Sequence, residues 1–160
     1  MDAPKDAEVT TKETTVERRS ARELVVTRWF DAPVRLVFEA WSNPELFQRW
    51  WLPKSMGMTL RACEMDVRTG GTYRLSFGEG MDFFGRYLEV TPPRRIVWTN
   101  DEGGDHSSVT TVTFEEHDVK TLVVMSELFS SEEALEANGG AADATQETFG
   151  QLDELLADLH

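Results

Sequence analysis

ELVVTRWFDAPVRLVFEAWSNPELFQRWWLP, residues 23–53, decides the reading of this chain. Leu24, Val26 and the residues through Phe30 are β-branched, apolar or aromatic, which predicts a first strand. Asp31 then stands before Pro33, a cap followed by proline in the first turn of a helix. Val34, Val37, Phe38 and Trp41 recur at helical spacing, so that helix buries one face. Ser42-Asn43-Pro44-Glu45 repeats the start signal, and Leu46, Phe47, Trp50 and Trp51 follow on a second short helix that Pro53 ends. Trp29, Trp41, Trp50 and Trp51 in so short a span call for large aromatic surfaces around one site. That site is either a solid core or a hollow one, and the function turns on which.

Downstream, residues 58–129 read as successive antiparallel strands. They are Thr59 to Val67, then Tyr73 to Phe77 after a tight turn at Gly70-Gly71, then Phe83 to Val90 after Gly78–Gly80. Pro92-Pro93 breaks the pattern before Ile96 to Thr99, and a loop over 101–105 carries Gly103-Gly104. Val109 to Glu115 and Leu122 to Leu128 form the last pair, joined near His117-Asp118. Alternation along these segments puts one face on a core and leaves one wetter. Ser130 or Ser131 caps a short helix through Ala137, which Asn138-Gly139-Gly140 ends. A final helix from about Ala141 to Leu159 carries Thr145, Phe149, Leu152, Leu156 and Leu159, with Thr148 and Leu155, as its buried stripe. Its opposite face is acidic.

The 160 residues suit one domain with a genuine core. Residues 1–22 are Thr-, Lys- and Glu-rich and are expected to be a flexible polar tail, with a single domain over 23–160. That tail is too polar for a signal peptide, and no apolar run approaches the ~20 residues that span a bilayer. A cytoplasmic protein is the expectation. Net charge is −13, and no Lys or Arg follows Lys120. A polyanion would be repelled from such a surface, which argues against nucleic acid, and anionic membranes are disfavoured for the same reason. Cys63, the single cysteine, excludes an internal disulfide and a cysteine-based zinc cluster, and a small buried thiol fits its alternating stretch.

Catalytic constellations are thin. His106, His117 and His160 are not spaced with one another or with a cysteine as metal ligands would be. No G-x-S-x-G elbow is present, and Gly78-Glu79-Gly80 reads as a hairpin turn. No catalytic set, metal or cofactor is therefore expected. Asp66 and Arg68 lie two apart and are expected to share a face and pair. Glu89 and Arg94 read as strand-end ion pairs, and Arg28, Arg74 and Arg86 as residues of the wet face.

Strand, two short helices, a run of antiparallel strands and a long last helix is the helix-grip order. The residues that carry a closer resemblance are TRWFDAP at 27–33, VFEAWSNPE at 37–45, RWWLP at 49–53 and DVRTGGTYR at 66–74. EVTPPRRIVWT at 89–99, VTFEE at 112–116 and FGQLDELLADL at 149–159 extend it. They resemble the bacterial activator of heat-shock-protein ATPase homologue family, in the SRPBCC (START and polyketide-cyclase-like) superfamily. Two positions depart from it. Thr148-Phe149 stands where members often carry Gly-Trp, and Leu52 replaces the glycine of Trp-Trp-Gly-Pro.

The resemblance implies an α+β helix-grip fold, a curved antiparallel sheet of about six to seven strands wrapped around the C-terminal helix, with a cavity between them. It places Trp41, Phe47, Trp50, Trp51, Tyr73 and Leu75 near the cavity wall. Phe77, Phe84, Trp98, Met125, Phe149 and Leu152 complete that set. These side chains either line a void or fill it themselves. Tryptophans near Pro53 are candidates for gating an entrance. Arg68 is the candidate anion contact at the mouth, although the DxRxGG segment looks structural in the family. The implied role is binding a small hydrophobic or aromatic molecule as a monomer or weak homodimer. The alternatives are a co-chaperone-like module whose partner is a chaperone protein, and a cyclase- or hydrolase-like enzyme. Eukaryotic activators carry an additional N-terminal domain, which residues 1–22 cannot supply.

Overall fold

Eight strands pair antiparallel into one curved sheet in a computed structural model, which describes residues 14–57, 60–77, 82–101, 107–138 and 141–159. They are β1 (Thr15–Arg18), β2 (Glu23–Phe30), β3 (Ala62–Met65), β4 (Thr72–Ser76), β5 (Asp82–Thr91), β6 (Arg95–Asn100), β7 (Ser108–His117) and β8 (Lys120–Phe129). Their order across the sheet is β1-β2-β8-β7-β6-β5-β4-β3. The helices are α1 (Val34–Ser42), α2 (Pro44–Trp50), α3 (Glu132–Asn138) and α4 (Ala141–Leu159), with a 3₁₀ turn at Lys54–Met56. Among the described residues no helix is long and apolar enough to cross a membrane.

The sheet has one strand more than expected, and the extra one comes from the segment read as tail. Thr15–Arg18 exposes all four side chains, yet its backbone pairs with β2, Val16 opposite Val26. An open sheet edge recruits a neighbour through N–H and C=O groups, which side-chain polarity does not report. Residues 1–13 of the expected tail lie outside the described residues.

β2 lies beside β8 and β3 is the far edge, so α1 and α2 carry the chain from one end of the sheet to the other. Both starts hold a proline, used differently. Pro33 occupies the N-cap of α1 at φ −68° and ψ 152° with no side-chain cap bond, which leaves Asp31 too far upstream to cap. Asn43 does cap α2, its Oδ1 accepting the Glu45 amide at 3.0 Å, with Pro44 in the first turn. Pro44 has no N–H to offer the Ala40 carbonyl four residues back. The Trp50 indole N–H donates to that carbonyl instead, at 2.9 Å. A rule about backbone thus fixes where a tryptophan points.

α4 packs on α1, α2 and β2 through Phe149, Leu152 and Leu156, each at most 2% exposed. The stripe stops there, since Leu159 in the terminal turn is 38% exposed. Arg28 differs from the wet-face reading. It shares an inward β2 face with Val26 and Phe30 and is buried. Its guanidinium lies 3.8 Å from Asp153 on α4, donates to Thr14 Oγ1 and covers the Phe30 ring. Burial pulls its pKa down while Asp153 offsets part of that. Arg74 and Arg86 do face solvent. Ser131 Oγ accepts the Ala134 amide at 3.0 Å and so starts α3. The expected turn at Gly78–Gly80, the glycines 103, 104, 139 and 140, and His106 and His160 lie outside the described residues.

Candidate functional site

Trp41 is the hub of an aromatic cluster built by α1, α2 and the sheet. Its ring meets Trp50 at 4.7 Å, Phe114 at 5.9 Å, Phe149 at 6.0 Å, Trp98 at 6.1 Å and Trp51 at 6.2 Å between centroids. These are edge or tilted contacts, the geometry that ring quadrupoles favour. Phe47 and Trp51 instead stack, 4.8 Å apart at 25°. Trp50 is wholly buried, whereas Trp51 is partly open to solvent.

The segment after α2 is tied to α4 through its backbone. Gln151, 8% exposed, donates to the Trp50 and Leu52 carbonyls at 3.0 and 2.9 Å and accepts the Lys54 amide at 2.9 Å. One turn earlier, Glu147 accepts both the Ser55 amide and hydroxyl, at 2.9 and 2.5 Å. Those bonds hold its carboxyl below the usual value, the hydroxyl contributing most. The main chain of residues 50–55 is therefore tied to α4 at several points, on either side of Trp51.

The facing wall comes from β4, β5 and β6, and a close approach of β5 to β6 shapes it. A Cβ at Gly85 would fall 1.9 Å from the Thr99 carbonyl oxygen, so only glycine allows β6 this close. The Arg86 amide bonds Thr99 Oγ1 at 3.0 Å, and the Tyr73 hydroxyl donates to the Thr99 carbonyl at 2.7 Å. Tyr73, directly across from Gly85, is thereby fixed over the strand. Asn100 organises the remaining polar groups. It accepts the Trp98 indole N–H at 3.1 Å and donates to Ser108 and Thr110 hydroxyls, both at 2.9 Å. Ser108 in turn donates to Glu127 at 2.5 Å.

Between these walls lies a cavity of about 30 Å³. One water needs roughly 10–15 Å³ on that measure, so the resting space holds about two. Of the residues expected at the wall, Trp41, Phe47, Trp51, Tyr73, Leu75 and Trp98 border it. Trp50, Phe149 and Leu152 do not; they are fully buried, filling the space the resemblance puts between sheet and long helix. Met125 packs against the core without reaching the cavity, and Phe77 sits edge-on to Phe83 at 5.0 Å. Phe84 lies under the Arg74 guanidinium, beside an outer groove shared with Arg86 and Asp101.

Met65, Phe83, Tyr87, Ile96 and Asn100 line the cavity and were not singled out in the sequence. The signal for two of them was parity. Phe83, Gly85 and Tyr87 alternate on one face of β5, which sends Phe84 to the other. Asn100 gave no signal, because a polar residue at a strand end reads as a turn. Burial pushes the Tyr87 phenol pKa well up, with Cys63 and Asp66 adding to the shift, so it stays protonated near neutrality.

Arg68 is 73% exposed and bound to Asp66 at 2.9 Å; it does not border the cavity. A Cβ at Gly71 would sit 2.0 Å from the Asp66 carbonyl oxygen, so this turn needs its glycine. Glu89 pairs with Arg95 at 3.2 Å. Burial raises the Cys63 thiol pKa, which lowers its thiolate fraction. His117 pairs with Glu115 on the surface, and among the described residues no group of three or more His, Cys, Asp or Glu is placed to hold a metal ion.

Residues 31–157 match the family model described as Activator of Hsp90 ATPase homolog 1-like protein. No curated protein matches the chain significantly. Among solved structures, a protein from Rhodobacter sphaeroides superposes with a TM-score of 0.82 at 24% identity, over 92% of this chain and 100% of its own. A protein from Nitrosomonas europaea gives 0.79 at 21% identity, covering 90% and 99%. One from Mycobacterium smegmatis gives 0.74 at 25%, covering 92% and 99%.

Proposed function

The chain belongs to the family of Activator of Hsp90 ATPase homolog 1-like proteins, a START-like fold, and on that premise we propose that it binds a small, flat, apolar molecule. The observation that carries this reading is Trp51. Its ring stacks on Phe47 at the solvent side of an apolar cavity, a place that a guest ring of similar size could take. Ligand pockets of drug-sized molecules run to roughly 300–1,000 Å³. The resting 30 Å³ is far smaller, so binding requires a side chain to leave. Trp51 is the candidate, since Trp41 is enclosed and Trp50 is bonded to Ala40. The guest then has about the size and flatness of an indole, and Trp41, Phe47, Trp51, Tyr73, Leu75 and Trp98 form the proposed contact set. Arg68, paired away from the cavity, is not part of it.

A chaperone-directed role rests on the family's description alone, and no feature of this site favours it. Acid–base chemistry finds little support either, because the Tyr87 phenol is held far from neutrality. Thermal unfolding with excess 1-ethylnaphthalene tests the binding reading, since a ligand of the folded form raises its midpoint. The wild-type midpoint rises; Leu75→Phe, which fills the cavity, folds but loses the rise. An unchanged wild-type midpoint, or an equal rise in the filled variant, overturns the reading.

A further inference from the structure

Resting on that binding reading, we infer that the guest carries a neutral hydrogen-bond acceptor and presents it to the Trp41 indole N–H. Three buried tryptophans of this site have indole donors, and two are used. Trp50 donates to the Ala40 carbonyl and Trp98 to the Asn100 amide oxygen. The Trp41 Nε1 is buried with no hydrogen-bond partner among the described residues, and Trp41 itself is 2% exposed. Leaving a buried donor unpaired is costly, and a phenylalanine would keep the apolar contacts without that cost. Trp41 is one of the residues bordering the apolar cavity where the guest would lie, its Nε1 closed off until a neighbouring side chain is displaced.

The same geometry sets the charge of the acceptor. Among the described residues around the cavity there is no Lys, Arg or His, so a carboxylate would be desolvated there without a counter-charge from them. A cation would meet aromatic faces, but also the positive edge of the Trp41 N–H. Of the other polar side chains of the wall, Tyr73 is engaged with Thr99 and Asn100 with Ser108 and Thr110. An aryl ketone or ester carbonyl meets these conditions.

Two near-isosteric probes separate this from the reading beneath it: 1-acetylnaphthalene, which has an acceptor, and 1-ethylnaphthalene, which has none. Both are titrated into the full chain while the ¹⁵N-labelled indole N–H resonances are followed. The acetyl probe binds roughly three- to tenfold tighter, the worth of one neutral hydrogen bond, and moves the assigned Trp41 N–H downfield. In Trp41→Phe the two affinities converge. Equal affinities in the wild-type chain, or a Trp41 N–H indifferent to the acetyl group, overturn the inference while binding stands. If neither probe binds, the binding reading itself fails and takes the inference with it. The wild-type titration decides even if the variant does not fold.

Discussion

Trp41 and Trp51 meet edge to face with centroids 6.2 Å apart and planes at 69°, the first enclosed and the second partly open to solvent. The inner ring is held on several sides by Trp50, Phe114 and Phe149. The outer one, partly open to solvent, is the ring the proposed binding would displace.

Trp51→Ala removes that ring. Uptake of 1-ethylnaphthalene, followed by stopped-flow fluorescence, becomes several-fold faster, while stability falls by about 2 kcal/mol, less than a fully buried Trp→Ala change. An unchanged uptake rate would show that Trp51 does not gate the site.

Gln151→Ala leaves the Lys54 amide and two carbonyls without their helix partner. Chemical denaturation shows a loss of about 2–3 kcal/mol, and hydrogen exchange at Lys54 accelerates. Faster exchange confined to other segments would contradict the clamp.

Gly85→Ala forces a Cβ against the Thr99 carbonyl, which is backbone and cannot swing aside. Overpacking of this kind costs about 3 kcal/mol or more. The denaturation midpoint falls accordingly, and a neutral result would mean that β5 and β6 are not in this contact.

Acid should loosen the Glu147–Ser55 tie. The folded-state carboxyl lies below the ordinary glutamate value of 4.5, so its contribution is full above that value and fades as pH drops through the lower, folded one. Titrating the Ser55 amide resonance downward from neutrality shows a transition below 4.5 that disappears in Glu147→Gln. A transition centred above 4.5 contradicts the bond.

The order of elements was legible because apolar period and punctuation agreed. Asn43-Pro44 started a helix, and the spacing of Phe149, Leu152 and Leu156 laid one down over the sheet. β1 was not legible, because Thr15–Arg18 buries no side chain and pairs with β2 through its main chain. Arg28 misled for a related reason: its charge suggested solvent, while Asp153, which offsets its burial, lies 125 residues away. At the site, the aromatic content of residues 41–51 was plain, but which rings wall the space was not. Trp50 and Phe149 fill, Trp51 and Tyr73 line, and only the third dimension separates them.

The most direct test of a Trp51-gated aromatic site is an isotope-filtered NOESY spectrum of the full chain with 1-ethylnaphthalene. Cross-peaks from the guest to Phe47, Tyr73 and Trp98, with the Trp51 ring displaced from Phe47, are the expected result. Guest contacts confined to the outer surface, with Trp51 still stacked on Phe47, would contradict it.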